Sequence, residues 1–284
     1  MGQWFSRFFK ERGFKVTITS RQPIRAKRIA RKLGVEAAEL DGEAIASSDI
    51  ILLSTPPAET AKIIGEIAEK MRKKAILLEI SSVKADVVKP LEEAVRDFNV
   101  EAVSIHPMFG PGAKTIQGHR IIVIPVKGCL KTARSIARFF REAGAAVTLA
   151  KDFHEHEKMV ALTLALPHFI NLVFASALAA SKNPIREVLK YAGTTFTLQK
   201  IVSESVISED PNLYAAIQMR NERFRQTLSQ LASEFSRLKN IVEKQDVEAF
   251  SQTFERLRKY FSGDSDYKRA YELFYRALEA VKQL

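Results

Sequence analysis

The feature that most constrains this chain is a change of rhythm near residue 150. Before it, short apolar runs alternate with amphipathic stretches at helical spacing; after it, only the helical spacing continues. Strand-like runs fall at 14–20, 49–55, 75–80, 100–105, 120–125 and 146–149. Between them, helical patterns occupy 23–33, 58–73, 85–97 and 130–143. The run Ile50-Ile51-Leu52-Leu53 has no polar alternation, which is how a strand buried on both faces reads. Strands interleaved with helices predict a mainly parallel sheet covered on both sides. Trp4, Phe5, Phe8 and Phe9 recur at helical spacing ahead of all this, and Gly13 can end their helix. Pro23 opens the next helix and Gly34 stands at its end.

Beyond Lys151 the expected helices lie at 154–181, 185–192, 195–208, 211–242, 247–261 and 265–284, with Asp246 and Asp264 placed as N-caps. The expected organisation is therefore a Rossmann-like α/β domain over 1–150 followed by an all-α domain over 151–284. The stretch 159–181 carries no charge and is long enough to cross a bilayer. With Pro167, His168 and Asn171 near its middle, it is read instead as a helix buried on all sides in a helical domain or dimer core.

Composition limits the function classes. A hydrophobic share of 46% supports a sizeable core. The single Cys129 excludes an internal disulfide and any multi-cysteine metal site, and fits a reducing, cytoplasmic setting. The net charge of +11 comes from basic residues spread through the chain, without a nucleic-acid recognition motif. Attraction of anionic small molecules accounts for it, with neither nucleic acid nor membrane as partner. Asp152, His154, His156 and Glu157 match no closed zinc pattern; they read as a helix start capped by Asp152, and no metal is expected.

In open parallel sheets, ligands bind beyond the carboxyl ends of the strands. The residues standing there are Ser20 and Arg21, then Ser54, Thr55 and Pro56, then Ser81, Ser82 and Lys84, and then the run from His106 to Gly112. By position alone, His106 serves equally as a catalytic group or as a structural residue closing a strand.

The run Ser104-Ile105-His106-Pro107-Met108-Phe109-Gly110-Pro111 resembles the signature of the prephenate dehydrogenase family. Ile80-Ser81-Ser82-Val83-Lys84 resembles that family's serine-valine-lysine turn, and Leu166-Pro167-His168 its leucine-proline-histidine. Asp210-Pro211-Asn212-Leu213-Tyr214 is similar to a helix start of the same family. These motifs follow the family's order over most of the chain. The opening departs from it: Met1-Gly2-Gln3-Trp4-Phe5 resembles only the end of the family's glycine-rich turn, without the first strand and leading glycines. The expectation is that the recorded chain starts late and that Gly2 is the remaining cofactor-facing glycine.

The resemblance implies an activity. Nicotinamide-dependent oxidation at C4 of prephenate, with loss of the ring carboxylate as CO₂, yields 4-hydroxyphenylpyruvate on the way to tyrosine. The developing C4 oxygen needs a proton acceptor of near-neutral pKa, and a histidine suits it. The implied base is His106, with Ser82 hydrogen-bonded to it or to the substrate hydroxyl. Ser81 and His168 are implied substrate contacts. The family's carboxylate-binding arginine has no counterpart in 192–200, where Lys200 is the available cation; His119, Arg120 and Arg220 stand as helpers. Gly2, Ser20, Arg21, Thr55 and Pro56 are the implied cofactor contacts. Ser20-Arg21, where NAD enzymes usually carry an acid, favours NADP over NAD. A homodimer through the helical domain is implied, with the active site between the domains. Arogenate, the amino counterpart of prephenate, is the alternative substrate, and a non-catalytic binding relative is the alternative class.

Overall fold

The computed structural model describes residues 1–39 and 42–282. These divide into two compact units, Met1–Val160 and Ala161–Leu284.

In the first unit a central sheet has the strand order β3 (Ile50–Leu53), β4 (Ile76–Glu79), β5 (Glu101–Pro107), β6 (Arg120–Pro125) and β7 (Ala146–Leu149). All neighbours are parallel except β5 and β6, which pair antiparallel with His106 opposite Ile122. The sheet is mainly parallel and Rossmann-like, in keeping with the alternating pattern. Successive residues of its central strands serve opposite cores. Leu77 and Ala102 face a layer made by α4 (Pro57–Lys70) and α5 (Ala85–Phe98), packing with Ile64, Ile67, Val87 and Leu91. Leu78, Val103 and Ile105 face α1 (Gly2–Lys10) and α6 (Leu130–Glu142), packing with Trp4, Phe5, Phe8 and Phe140. That second core is aromatic: the rings of Phe8 and Phe140 stack with centroids 5.9 Å apart. Burying one such side chain contributes about 1.5–3 kcal/mol, and aromatic pairing about 0.5–1.5 kcal/mol more. This packing brings the N-terminus of α1 to the carboxyl end of β3, where Gly2 lies against Ser54.

A separate parallel pair joins β1 (Thr17–Ile18) to β2 (Glu36–Ala37) around α2 (Pro23–Leu33), which ends at Gly34 with φ of +63°. The strand expected over 14–20 is thus cut to two residues. Its pairing is limited by a partner of the same length, because β2, like the short helix α3 (Gly42–Ala46), has too few apolar residues to show in the pattern.

The last element of the first unit is α7 (Phe153–Val160), packed against α5 and β6. Asp152 accepts from the Glu155 N–H at 2.9 Å at its start.

The second unit is helical. A π-helical segment, Ala161–Ala165, leads into α8 (Leu166–Ala180). Pro167 lacks the N–H that an α-turn would return to residue 163, and its ring crowds that carbonyl; the widened turn accommodates both. There follow α9 (Ile185–Leu189), α10 (Thr194–Ile207), α11 (Pro211–Arg220), α12 (Glu222–Glu243), α13 (Val247–Phe261) and α14 (Ala270–Lys282). The single helix expected over 211–242 breaks at Asn221, whose side-chain oxygen takes the N–H groups of Arg223 at 3.0 Å and Phe224 at 3.3 Å and so caps a new helix. Asp246 caps α13 through the Ala249 N–H at 2.9 Å. Asp264 instead turns back on the Asp266 N–H at 3.1 Å ahead of a 3-10 turn, so it does not cap α14. The end of the expected last helix, at 283–284, lies outside the described residues.

The charge-free helix is not buried on all sides within the chain. Asn171 is the one buried residue of α8, which packs mainly on α10 and also meets α12, with His168 resting on Tyr214 of α11; Ile170 and Val173 are exposed, as is Leu162 in the preceding π-helical turn.

Candidate active site

Parallel pairing of β3, β4 and β5 brings their carboxyl ends together, and Glu79, Ser81, Lys84, Ser104, His106, His156 and Glu157, all buried, collect there. β5 ends on His106-Pro107, and the His106 side chain is buried, with 3% of the residue exposed. Its Nδ1 lies 2.9 Å from Nε2 of His156 on α7. His156 Nδ1 lies 3.2 Å from Glu157 Oε1, which also accepts the backbone N–H of Lys84 at 2.9 Å. The order of protons along this chain follows from its ends. A carboxylate only accepts, so His156 carries its proton on Nδ1. His156 Nε2 is then an acceptor, and His106 must donate from Nδ1. The His106 Nε2 lone pair is left as a proton acceptor.

Burial holds His106 well below the usual imidazole range, helped by the neighbouring His156 and the Lys84 ammonium. Burial lowers His156 as well, against the pull of Glu157. Both rings are therefore neutral near pH 7.

A second buried polar group underlies the first. Glu79, the last residue of β4, accepts from Lys84 Nζ at 2.8 Å, from the Ser81 N–H at 2.7 Å and from the Ser104 hydroxyl. Lys84 Nζ also donates to the Ile105 carbonyl at 2.8 Å, and both members of the ion pair are fully buried. Desolvation lowers the Lys84 pKa, while Glu79 opposes that shift. The pair ties the turn after β4 to the strand that carries His106.

The structure thus brings together His106, Ser81 and Lys84 among the residues at the strand ends. Ser81 is buried, and its hydroxyl has no partner among the described residues. Ser82 is half-buried; it neither bonds His106, whose Nδ1 is taken by His156, nor caps α5, whose N-cap is Lys84.

On the cofactor side, the backbone at Gly2 passes so close to Ser54 that an added β-carbon would stand 3.3 Å from the hydroxyl oxygen. The N-cap Met1 makes no side-chain capping bond to α1 among the described residues, and the positive dipole end of the helix suits a phosphate. Thr55 and Pro56 shape the turn into α4: the Thr55 and Thr60 hydroxyls are 2.7 Å apart, and Pro56 is the helix N-cap. Ser20 accepts the Gln22 N–H at 3.2 Å, and Arg21 pairs with Glu59 at 2.8 Å while staying largely exposed. These residues fit a dinucleotide.

His168 and Lys200 belong to the second unit. The His168 ring rests on Tyr214 with centroids 4.7 Å apart, and burial lowers its pKa. Lys200 is engaged on its own helix by Glu204 at 2.8 Å.

His156 and Glu157 are the site residues that sequence reading missed, having taken them for part of a helix start. A signal was present: Phe153, His156, Glu157 and Val160 share one helical stripe, and its last three members are buried. Two polar residues on the apolar face of an amphipathic helix need partners inside the protein.

Comparison with known proteins gives a consistent result. The nucleotide-binding domain of prephenate dehydrogenase matches residues 5–149, and the dimerization domain of prephenate dehydrogenase matches residues 152–256. The chain is 28% identical over 267 residues to a probable arogenate/prephenate dehydrogenase of Methanocaldococcus jannaschii, covering 93% of this chain and 59% of that one. It is 23% identical to the T-protein of Enterobacter agglomerans, covering 76% of this chain and 57% of the relative. The chain thus spans somewhat over half the length of these two relatives. Its fold is that of the prephenate dehydrogenase of A. aeolicus crystallised with hydroxyphenyl propionate and NAD+, with a TM-score of 0.76, 20% identity, and coverage of 93% of this chain and 95% of that one.

Proposed function

The chain belongs to the prephenate dehydrogenase family, and on that premise we propose that it oxidises prephenate, or its amino counterpart arogenate, at C4 with loss of the ring carboxylate as CO₂. The observation that carries this reading is the buried, neutral His106, whose Nδ1 proton is held by His156 so that Nε2 is free to accept.

His106 Nε2 accepts the proton of the substrate's 4-hydroxyl as the C4 oxygen becomes a carbonyl. A nicotinamide cofactor held in this domain would supply the acceptor for the hydride at C4. The electrons of the breaking bond to the ring carboxylate complete the aromatic ring as CO₂ leaves, and the resulting phenolate oxygen takes its proton back from His106 Nε2, so that the products are a phenol, CO₂ and reduced cofactor with His106 neutral again. His106 is neutral before the step, so the proton has somewhere to go near pH 7. His156 accepts the Nδ1–H hydrogen bond, which strengthens as His106 becomes cationic, and Glu157 anchors His156. Ser81, Ser82 and His168 supply polar contacts to the substrate. Lys200 meets a substrate carboxylate in exchange for Glu204.

The N-terminus of α1 at Gly2 holds the pyrophosphate, beside Thr55 and Pro56. Arg21, with Ser20, takes a 2′-phosphate in place of Glu59, which favours NADP over NAD. The exposed apolar face of α8 is covered by a second copy in a homodimer.

The test is the purified chain mixed with prephenate or arogenate and either cofactor, followed by the absorbance of reduced nicotinamide. Turnover of at least one pair is expected; no turnover with any of the four overturns the reading.

A further inference from the structure

The oxidation proposed above removes a hydride from C4 and a proton from the oxygen on that same carbon. The two acceptors must therefore keep a fixed separation, and a misplacement of about 1 Å can cost on the order of 10²-fold in rate. The proton acceptor is carried by β5, and the cofactor is assigned to the N-terminus of α1. Trp4 reaches both. It stands in the first turn of α1, where the Phe5 N–H donates to the Met1 carbonyl at 3.1 Å. Its buried ring lies in one core with Val103 and Ile105 of β5 and stacks on Phe8 with centroids 5.4 Å apart. The indole Nε1–H donates to the Ala113 carbonyl at 2.7 Å. The ring also meets Phe109 edge-on, with centroids 4.9 Å apart, just beyond His106-Pro107-Met108.

The segment that Trp4 holds is the one that follows the proposed base. The chain leaves β5 at Pro107 and returns at Arg120. Its base is closed by the Met108 N–H on the Arg120 carbonyl at 2.9 Å. Its returning arm is fastened by the buried Ile116 and by the Gly118 N–H on the Gly144 carbonyl at 2.9 Å. The crest, 109–115, has no such fastening of its own. Gly110 and Gly112 have open space beside them, Pro111 and Lys114 are exposed, and the Ala113 N–H turns back on Gly110 at 3.2 Å. Among the described residues, the one hydrogen bond that ties the crest to another element is that of Trp4. Phenylalanine would fill the core as an apolar ring; only the indole N–H adds this tie.

We infer that Trp4 is a positioning residue: its indole pins the crest beyond the proposed base to the helix that receives the cofactor, and so keeps the hydride acceptor and the proton acceptor aligned. The inference rests on the dehydrogenase reading and adds to it the residue that aligns the two transfers.

The experiment uses Trp4→Phe, which keeps a ring for Phe8 and Phe109 and removes the N–H. With the substrate and cofactor that the wild type turns over, kcat should fall on the order of 10-fold, while the KM of each stays near that of the wild type. A wild-type kcat at a temperature where the variant is fully folded overturns the inference, as does a raised KM at unchanged kcat. A second measurement needs no turnover. Trypsin cleavage after Lys114 should be roughly 10-fold faster in the variant, since the loss of one hydrogen bond favours opening of the crest. Equal cleavage rates refute the pinning. If Trp4→Phe does not fold, Phe109→Leu, which keeps the donor and removes the edge contact, carries both measurements with the same direction expected. A wild type that oxidises neither substrate, with cleavage that still differs, removes the dehydrogenase reading and leaves the pinning in place. Turnover with neither kcat nor cleavage changed by the substitution does the reverse.

Discussion

His156 Nε2 stands 2.9 Å from His106 Nδ1, and this contact orients the proposed base. Without an acceptor at Nδ1, the His106 proton can sit on either ring nitrogen, and a proton on Nε2 silences the lone pair that must take the substrate's proton.

His106→Asn should leave the fold intact and reduce kcat by on the order of 10²-fold or more, because the proton acceptor is gone. His156→Phe should lower kcat roughly 10-fold with a smaller change in KM, since it removes orientation rather than substrate contact. Steady-state kinetics beside a circular-dichroism melt checks both. Wild-type turnover in His106→Asn removes it as the base.

Stability should fall with acid in a defined window. His106 and His156 have folded pKa values below the ordinary value of about 6.5, so the unfolded chain binds more protons than the folded one as pH drops. The contribution of the neutral rings is complete above that ordinary value and is lost as pH falls from it through the folded pKa values. Melting temperatures at pH 7.5 and 5.5 should differ, and His106→Asn should narrow the difference because one titrating ring is removed. An identical difference in the variant would contradict the assignment.

Lys84→Met should destabilise the protein by about 3–5 kcal/mol, since Glu79 would remain charged and buried without its cation. Adding Glu79→Gln should recover part of that loss. Urea unfolding of the single and double variants measures both; a single variant within about 1 kcal/mol of wild type would show that water reaches Glu79.

Arg21→Ala should raise the KM for NADP and spare that for NAD. The guanidinium is largely exposed and paired with Glu59, a surface contact of the kind usually worth under about 1 kcal/mol, so exchanging it for a phosphate costs little. Equal losses for both cofactors would remove Arg21 from the 2′-phosphate site.

Much of the fold was legible in the residues. The continuous run at Ile50–Leu53, the exact bounds of the strand Arg120–Pro125 and the helix starts at Pro23 and Leu130 follow from local apolar patterns and from proline and glycine geometry. So does the place of His106 at the carboxyl end of β5, the end of a parallel strand beyond which ligands bind in such sheets. The two-residue strands β1 and β2 were not legible as such, since so short a pairing leaves no periodicity. Nor was the break at Asn221, where one side chain replaces backbone hydrogen bonds inside an otherwise unbroken helical pattern.

What the sequence determined by itself was the alternation that makes the sheet, the aromatic face of α1, and the identity of the residues at the strand ends. What only the tertiary structure decided was which of those residues act together. His106 and His156 are 50 positions apart, and Lys84 and Glu157 are 73 apart. Periodicity reports which face of an element is buried, but it does not report which other element covers that face. The partner of a buried polar group, and with it the nitrogen that carries a proton, is set by packing across the fold.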